Sequence, residues 1–274
     1  MTVDMQNDDD LKARYLAAYD EQLRAVAETP SATRVELLGP LRMVIFRGGR
    51  GFVTYKRPDA AEGESLRTLV PEALAHYRAH PDVVRVEWKT RGHDHTPGLH
   101  EALLENGFVP DESESIMIGE AAALAVDVPL PDGVTLRQVT EEADVRAMAA
   151  MQGEAFGDSP EISTEIADAV VARVARNDGM ELWVAEVDGM IVSAGRVEPV
   201  RDSDFAGLWG GATLERWRGR GIYRALTSAR ARSALRMGKT LMNSDSTDYS
   251  RPILERSGFL KVSTTTPYEW KRDA

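Results

Sequence analysis

A short run of arginine and glycine at residues 218–223 has the residue types of a phosphate-binding loop. It reads Arg-Gly-Arg-Gly-Ile-Tyr, and an apolar helical pattern begins within it at Ile222, Leu226 and Ala229. Glycine lets the backbone turn sharply without a Cβ clash. The first N–H groups of a helix have no intrahelical partner, and the helix dipole adds positive partial charge there. The 218–223 loop therefore predicts a site for phosphate or a similar anion.

The charge around this loop favours a small anionic ligand. Residues 214–239 contain seven arginines and one lysine against a single acidic residue, Glu215. The whole chain of 274 residues carries a formal net charge of −11. The basic cluster is therefore local, and a general nucleic-acid binder, which needs a broad basic face, is disfavoured. An ordinary glycine turn before an arginine-rich surface helix is the alternative interpretation.

The 218–223 loop resembles the Arg-x-x-Gly-x-Gly/Ala motif that binds the acyl-CoA pyrophosphate in the GCN5-related N-acetyltransferase (GNAT) superfamily. A predicted strand at 205–213 precedes the loop and a helix follows it. The later run Leu-Glu-Arg-Ser-Gly-Phe at 254–259 keeps the family's order. The motif departs at its last position, where Tyr223 replaces a small residue. That ring either crowds the diphosphate or points into the packing of the helix.

The resemblance implies that acyl-CoA, with acetyl-CoA as the expected co-substrate, lies where two neighbouring parallel strands splay apart. Here these strands are 208–213 and 241–243. Glycine inside a strand often marks a bulge or a close backbone approach, as expected at Gly210 and Gly211. Tight packing under Trp209 is the alternative there. The residues assigned by resemblance are Gly211 and Thr213 at the pantetheine, Arg218, Gly219, Arg220, Gly221, Ile222 and Tyr223 at the diphosphate, and Asn243 and Ser250 on the far wall.

Transfer of an acyl group to an amine requires a base and a proton donor for the departing thiolate. Many family members place a tyrosine donor at the position that matches Leu254, and leucine cannot donate. Tyr249 is the expected substitute, followed by Ser246. Glu198 is the expected base and Asp245 a weaker candidate. The alternative is that these are ordinary helix-start and rim residues, since proximity of bound reactants supplies much of the rate.

An internal duplication is indicated by the two Gly-Phe pairs at 107–108 and 258–259, each of which follows a strand and a short helix. The first copy has the acidic stretch 58–64 where the phosphate loop belongs, and phosphate would be repelled there. We therefore predict an α/β fold with mixed sheets, built as two tandem GNAT-like domains. Residues 1–120 form a degenerate domain without a phosphate loop, 121–132 a linker, and 133–274 the acyl-CoA-binding catalytic domain, closed by a strand at 262–270.

Residue types that are scarce or absent limit other chemistry. The chain has no cysteine, which excludes disulfides, thiolate zinc sites and a cysteine nucleophile. His93, His95 and His100 could suggest zinc, but a polar loop is the better interpretation, so no metal site is expected. The acidic start without a hydrophobic core, and the lack of any apolar run of about 18 residues, predict a cytoplasmic protein that does not enter a membrane.

The predicted function is acyl-CoA-dependent N-acetylation of a small amine or an amino group, by direct transfer in a ternary complex. No cysteine is present to carry the acyl group covalently. Two alternatives stay open, a non-catalytic acyl-CoA-binding or scaffold protein and an aminoacyl-tRNA-dependent transferase. The expected partner is a small-molecule amine acceptor and no nucleic acid, and the sequence does not indicate an oligomeric state.

Overall fold

The computed structural model describes residues 2–272, with side chains described from residue 8 onward. The α-helices are α1 (Thr2–Gln22), α2 (Ala60–Arg78), α3 (Leu99–Glu105), α4 (Ala121–Leu124), α5 (Glu142–Phe156), α6 (Pro160–Val174), α7 (Ile222–Arg236) and α8 (Arg251–Glu255). The strands are β1 (Arg34–Leu38), β2 (Leu41–Phe46), β3 (Arg50–Tyr55), β4 (Arg85–Arg91), β5 (Val109–Pro110), β6 (Glu114–Glu120), β7 (Thr135–Val139), β8 (Glu181–Val187), β9 (Met190–Pro199), β10 (Phe205–Thr213), β11 (Leu241–Ser246) and β12 (Leu260–Lys271).

The chain forms two compact units, and each has its own hydrophobic core. The first unit consists of the residues up to Met117, Asp245–Arg251, and the residues from Lys261 onward. The second unit consists of Ile118–Ser244 and Pro252–Leu260. This α/β organisation in two units agrees with the predicted fold class.

In the first unit the strands follow the order β1-β2-β3-β4-β12, and β5 also pairs with β12. Neighbours are antiparallel except for β3 and β4, which are parallel. Strands β2 and β3 form a hairpin, and its turn lies at 47–49. Buried side chains of α2, including Leu66, Leu74 and Tyr77, pack with Trp88 of β4 to form the core.

In the second unit the order is β11-β10-β9-β8-β7. Strands β7 to β10 are antiparallel neighbours, whereas β10 and β11 are parallel. The turn at Asp188-Gly189 connects β8 and β9, and both residues have positive φ, as a type I′ hairpin turn requires. Helix α5 packs its buried residues Val145 and Met148 with Leu182 and Val184 of β8.

The last strand departs from the sequence expectation. Residues 262–270 were predicted to close the second domain's sheet, but β12 pairs antiparallel with β4, from Thr265 opposite Arg91 to Lys271 opposite Arg85. The physical reason is burial, because Tyr268 and Trp270 of β12 belong to the first unit's core. The stretch predicted as a linker also begins with structure, since α4 buries Ala121 and Leu124.

Candidate functional site

The strands β10 and β11 separate in the second unit. Their parallel pairing covers three positions and ends where Gly207 faces Asn243. Strand β10 then continues to Thr213 while it remains paired with β9 on its other side. Beyond Gly207, the edge of β10 that faces β11 is therefore no longer paired with that strand. The sequence predicted such a splay for these two segments.

A bulge lies in β10 beyond that point. The register between β10 and β9 shifts between Trp209 and Ala212, and Gly210 takes a φ of +58°. The Gln152 side chain donates a hydrogen bond to the carbonyl oxygen of Gly210. The two strand glycines thus form a bulge, as their presence in a strand predicted, and Gln152 of α5 fixes its backbone direction.

The Tyr223 ring packs against the bulge. An added Cβ on Gly211 would lie 2.8 Å from both Cε2 and the hydroxyl oxygen of Tyr223. The guanidinium carbon of Arg230, which is fully buried, lies 5.7 Å from the centroid of the same ring. Of the two alternatives stated for Tyr223, the structure therefore has the ring in the packing between α7 and β10.

The start of α7 has no side-chain cap. Its N-cap is Gly221, with a φ of +81°, and no side chain within the described residues caps the first N–H groups. Gly219 also has a positive φ of +75°, and an added Cβ there would meet open space. Such backbone conformations favour glycine. The first N–H groups of α7 therefore remain available to an external anion.

The two arginines of the loop are exposed and differ in their contacts. Arg218 donates from Nε to the carbonyl oxygen of Thr213 at 3.0 Å, which ties the loop to the end of β10. The guanidinium of Arg220 stacks over Trp217, 4.8 Å from the ring centroid. Both cations lie beside the uncapped helix start and add to its positive potential.

Asn243 lies in β11 at the point where the strands separate. Its side chain is buried, and Oδ1 has no hydrogen-bond partner within the described residues. A buried acceptor without a partner is costly unless a donor reaches it. The amide N–H groups of a pantetheine arm are donors of the required kind. Asn243, the β10 bulge and the uncapped α7 together fit an extended amide-containing chain that ends in a diphosphate.

The predicted catalytic residues have different surroundings. The carboxylate of Glu198 is bound by Arg173 and Arg196, one at each oxygen. Tyr249 lies in the turn before α8, within the segment assigned to the first unit, and is 92% exposed. Asp245 forms an ion pair with Lys89 at 2.7 Å. A base role for Glu198 therefore requires one of its two arginine contacts to open.

Ser250 and Thr213 complete the set of residues predicted by resemblance. Ser250 lies in the turn with Tyr249, and its hydroxyl donates to the carbonyl oxygen of Thr247 at 3.4 Å. Thr213 is buried at the end of β10, where its hydroxyl shares a hydrogen bond of 2.8 Å with Ser193. The Thr213 hydroxyl is thus already hydrogen-bonded to a residue of the neighbouring strand β9.

The first unit has no comparable opening at the start of its own helix α2. The N-cap is Asp59, which accepts a hydrogen bond from the N–H of Glu62, while the Glu62 side chain accepts from the N–H of Asp59. This capping box uses two carboxylates of the chain itself where α7 has none. A phosphate there would meet negative charge and N–H groups that are already bonded.

The separation of the first unit's parallel strands is also filled by the chain's own side chains. The parallel register between β3 and β4 ends with Val53 opposite Trp88. Beyond it Glu28 accepts hydrogen bonds from Thr54 and Arg91, and its carboxylate lies 3.4 Å from Lys89 Nζ.

Burial alone raises the pKa of Glu28, but the charges of Arg91 and Lys89 outweigh that effect and lower it to about 2. Glu28 is therefore an internal anion at physiological pH. It neutralises the cations between the strand ends.

Two residues of the second unit's site were missed by sequence reasoning. Gln152 follows Val145, Met148 and Ala149 on the buried stripe of α5, and Arg230 lies on the buried stripe of α7 after Leu226. A polar residue in an apolar stripe was the available signal, since buried polar groups require partners. Arg230 finds neutral ones, including Thr227 Oγ1 at 3.0 Å and the carbonyl oxygen of Arg196.

Comparison with solved structures identifies the fold. No family model and no curated protein matches the chain. A GCN5-related N-acetyltransferase from Kribbella flavida superposes with a TM-score of 0.64 at 21% identity, covering 96% of each chain. A tandem GNAT protein from the clavulanic acid biosynthesis pathway gives 0.61 at 17% identity, covering 85% of this chain and 79% of the other. A GCN5-related N-acetyltransferase from Sphaerobacter thermophilus gives 0.59 at 18% identity, with 87% and 82% covered.

At these identities the comparison concerns the fold alone. The chain has the fold of the GNAT superfamily in its tandem form, which agrees with the resemblance found in the 218–223 loop. Among the described residues, no helix combines the length and the apolar character needed to cross a bilayer.

Proposed function

We propose that the second unit binds acyl-CoA, with acetyl-CoA as the natural co-substrate, and transfers the acetyl group to a small amine. The observation that carries the proposal is the uncapped start of α7, which follows, after the segment 214–221, a strand that has separated from its parallel neighbour. The first unit has the same arrangement of strands and helix. There, the chain's own carboxylates occupy both the start of the helix and the space beyond the paired part of the parallel strands. The difference between the units supports one acyl-CoA site per chain.

Each part of the proposed site has a physical role. The N–H groups of α7 and the charges of Arg218 and Arg220 hold the diphosphate. The β10 edge at Gly210 and Gly211 and the free Oδ1 of Asn243 bond the pantetheine amides, which keeps the thioester in a fixed position. Bound acyl-CoA supplies an activated thioester whose carbonyl carbon accepts an amine. Holding both reactants in one complex supplies much of the rate.

The proton transfers are proposed for two residues. Glu198 of the second unit would accept a proton from the amine. Tyr249 is the donor to the leaving thiolate that the sequence predicts, and its segment is grouped with the first unit. Glu198 is bound at both oxygens by arginine, so its action requires displacement of Arg173 or Arg196 by the acceptor. An amine, which is a hydrogen-bond donor of similar charge when protonated, is a chemically suitable competitor for that carboxylate.

The test is calorimetric titration of acetyl-CoA into the native protein and into the Arg218→Ala/Arg220→Ala variant. We expect micromolar binding that weakens at least tenfold in the variant, or about 1.4 kcal/mol. Arg232→Ala/Arg236→Ala is the matched control, because it removes the same charge from exposed positions near the other end of α7. Absence of binding to the native protein, or equal weakening by the control, would contradict the proposal.

A non-catalytic acyl-CoA-binding protein is the second candidate. Leu254 is buried at the family's donor position and cannot donate a proton, and Glu198 is held by two arginines. Release of free thiol from acetyl-CoA, measured across a panel of amines, separates the two functions. Binding without amine-dependent thiol release would favour the non-catalytic protein.

A further inference from the structure

Three metal-ligating side chains converge in the first unit, on a surface that the acyl-CoA proposal does not use. They are Glu36 of β1, His76 in the last turn of α2, and His80 just beyond that helix. Each offers one ligand atom, and the three atoms lie within 4.8 Å of one another. Two imidazoles and a carboxylate form a donor set that suits zinc and similar divalent metals.

The two histidines are four residues apart, which places them on one face of a helical turn. Their ring centroids are 4.7 Å apart. His76 Nδ1 lies 3.3 Å from Glu36 Oε2, so the strand contributes its carboxylate directly to the helical pair. The set therefore comes from two elements that are already packed together, and little reorganisation is needed to close it around a cation.

The hydrogen bonds of His80 orient it as a ligand. His80 Nδ1 lies 2.9 Å from the carbonyl oxygen of His76. A carbonyl oxygen only accepts, so this contact places the proton on Nδ1 and the lone pair on Nε2. A ring N–H bonded to a backbone carbonyl, with the other nitrogen free to coordinate, is the usual state of a metal-bound histidine.

A cation already occupies that lone pair. Arg34 of β1 donates from its guanidinium to His80 Nε2, two residues before Glu36 on the same strand. Arg34 is exposed, so its side chain can move into solvent without leaving a buried charge. His93 of the same unit differs, because both of its ring nitrogens are bonded, to Ser263 and Asp20.

We propose that Glu36, His76 and His80 form a binding site for a divalent transition metal such as zinc, with Arg34 as an internal cation that the metal displaces. Three protein ligands leave room for water or a fourth donor. Metal bound to this set links the edge strand β1 to the end of α2. Because the unfolded chain lacks the preformed set, binding raises the stability of the first unit.

The test is titration of Zn²⁺ into the tag-free full chain, followed by calorimetry and by thermal unfolding, with Mg²⁺ as the hard-cation comparison. We expect one Zn²⁺ per chain, a raised unfolding temperature, and no response to Mg²⁺. His76→Gln and His80→Gln should each weaken Zn²⁺ binding at least tenfold. His95→Gln, an exposed histidine of the same unit, is the matched control and should leave the affinity unchanged.

Arg34→Ala should change Zn²⁺ binding in the direction opposite to the ligand variants. A gain in affinity cannot be explained by a variant that fails to fold. Removing the competing cation should tighten Zn²⁺ binding about fivefold, an effect expected to shrink in high salt because the arginine is exposed. Weaker or unchanged Zn²⁺ binding in Arg34→Ala would overturn the proposal that the metal displaces Arg34. Absence of Zn²⁺ binding, or equal weakening by His95→Gln and the two ligand variants, would overturn the site. Neither result depends on acetyl-CoA binding.

Discussion

The contact between Gly211 and Tyr223 predicts that alanine at position 211 destabilises the second unit for a steric reason. Gly211 does not have a positive φ, so its backbone accepts alanine. The new Cβ would lie 2.8 Å from the Tyr223 ring and 3.2 Å from its Cζ, whereas carbon atoms in contact prefer about 3.5–4.0 Å. The ring must therefore move by several tenths of an ångström. Overpacking of this kind costs about 1–3 kcal/mol.

Removing the Tyr223 ring should relieve the steric cost of alanine at position 211. Tyr223→Ala alone should destabilise by about 2–3 kcal/mol through the space it leaves. In the double variant the added methyl lies in that space, so the combined cost should fall below the sum by at least about 1 kcal/mol. Urea unfolding of the four proteins measures the three differences. Gly211→Ala/Tyr249→Ala is the control pair and should be additive, because Tyr249 is 92% exposed. Additive costs for Gly211 and Tyr223 would refute the assigned packing.

Three further predictions concern two carboxylates of the first unit and the proposed donor. Because the pKa of Glu28 is about 2 against an ordinary 4.5, the stability that its ionised carboxylate contributes should be present above pH 4.5 and be lost as the pH falls towards 2. By linkage, the free energy of unfolding should fall by up to about 3 kcal/mol over that range. In Glu28→Gln the midpoint of urea unfolding should therefore change less with pH on the acid side. Asp59→Ala should cost about 1 kcal/mol by removing the α2 cap, yet calorimetry should show unchanged acetyl-CoA affinity, and a changed affinity would place a cofactor contact in the first unit. Tyr249→Phe should keep the native melting temperature but slow thiol release at least tenfold, and an unchanged rate would remove Tyr249 as the donor.

The local features of the fold were predictable because they depend on neighbouring residues. The glycines at 219 and 221 fix the loop before α7, and Asp188-Gly189 fixes the β8–β9 turn, through conformations that few other residues adopt. The bulge at Gly210 followed from glycine inside an apolar strand. Each of these signals lies within a few residues of the feature it specifies.

The partner of β12 was not predictable in the same way. Its alternation of buried Tyr268 and Trp270 indicates a strand with one buried face, but any open sheet edge could accept that pattern. The choice of β4 depends on the shape of the first unit's core. The packing of Tyr223 had the same difficulty, because it depends on Gly211 across the strand–helix contact.

The pairing of β12 with β4 has a consequence for how the protein is made. Thr265 donates its hydroxyl to the carbonyl oxygen of Thr90, and the two residues are 175 positions apart. During synthesis, β4 therefore leaves the ribosome long before its neighbour exists, and all of the residues 118–244 are produced in between. The first unit cannot be completed in the order of translation, unlike domains that fold one after another as they emerge. Until β12 is made, the edge of β4 that β12 covers lacks this partner, and an unpaired strand edge of this kind is a template for pairing with other chains.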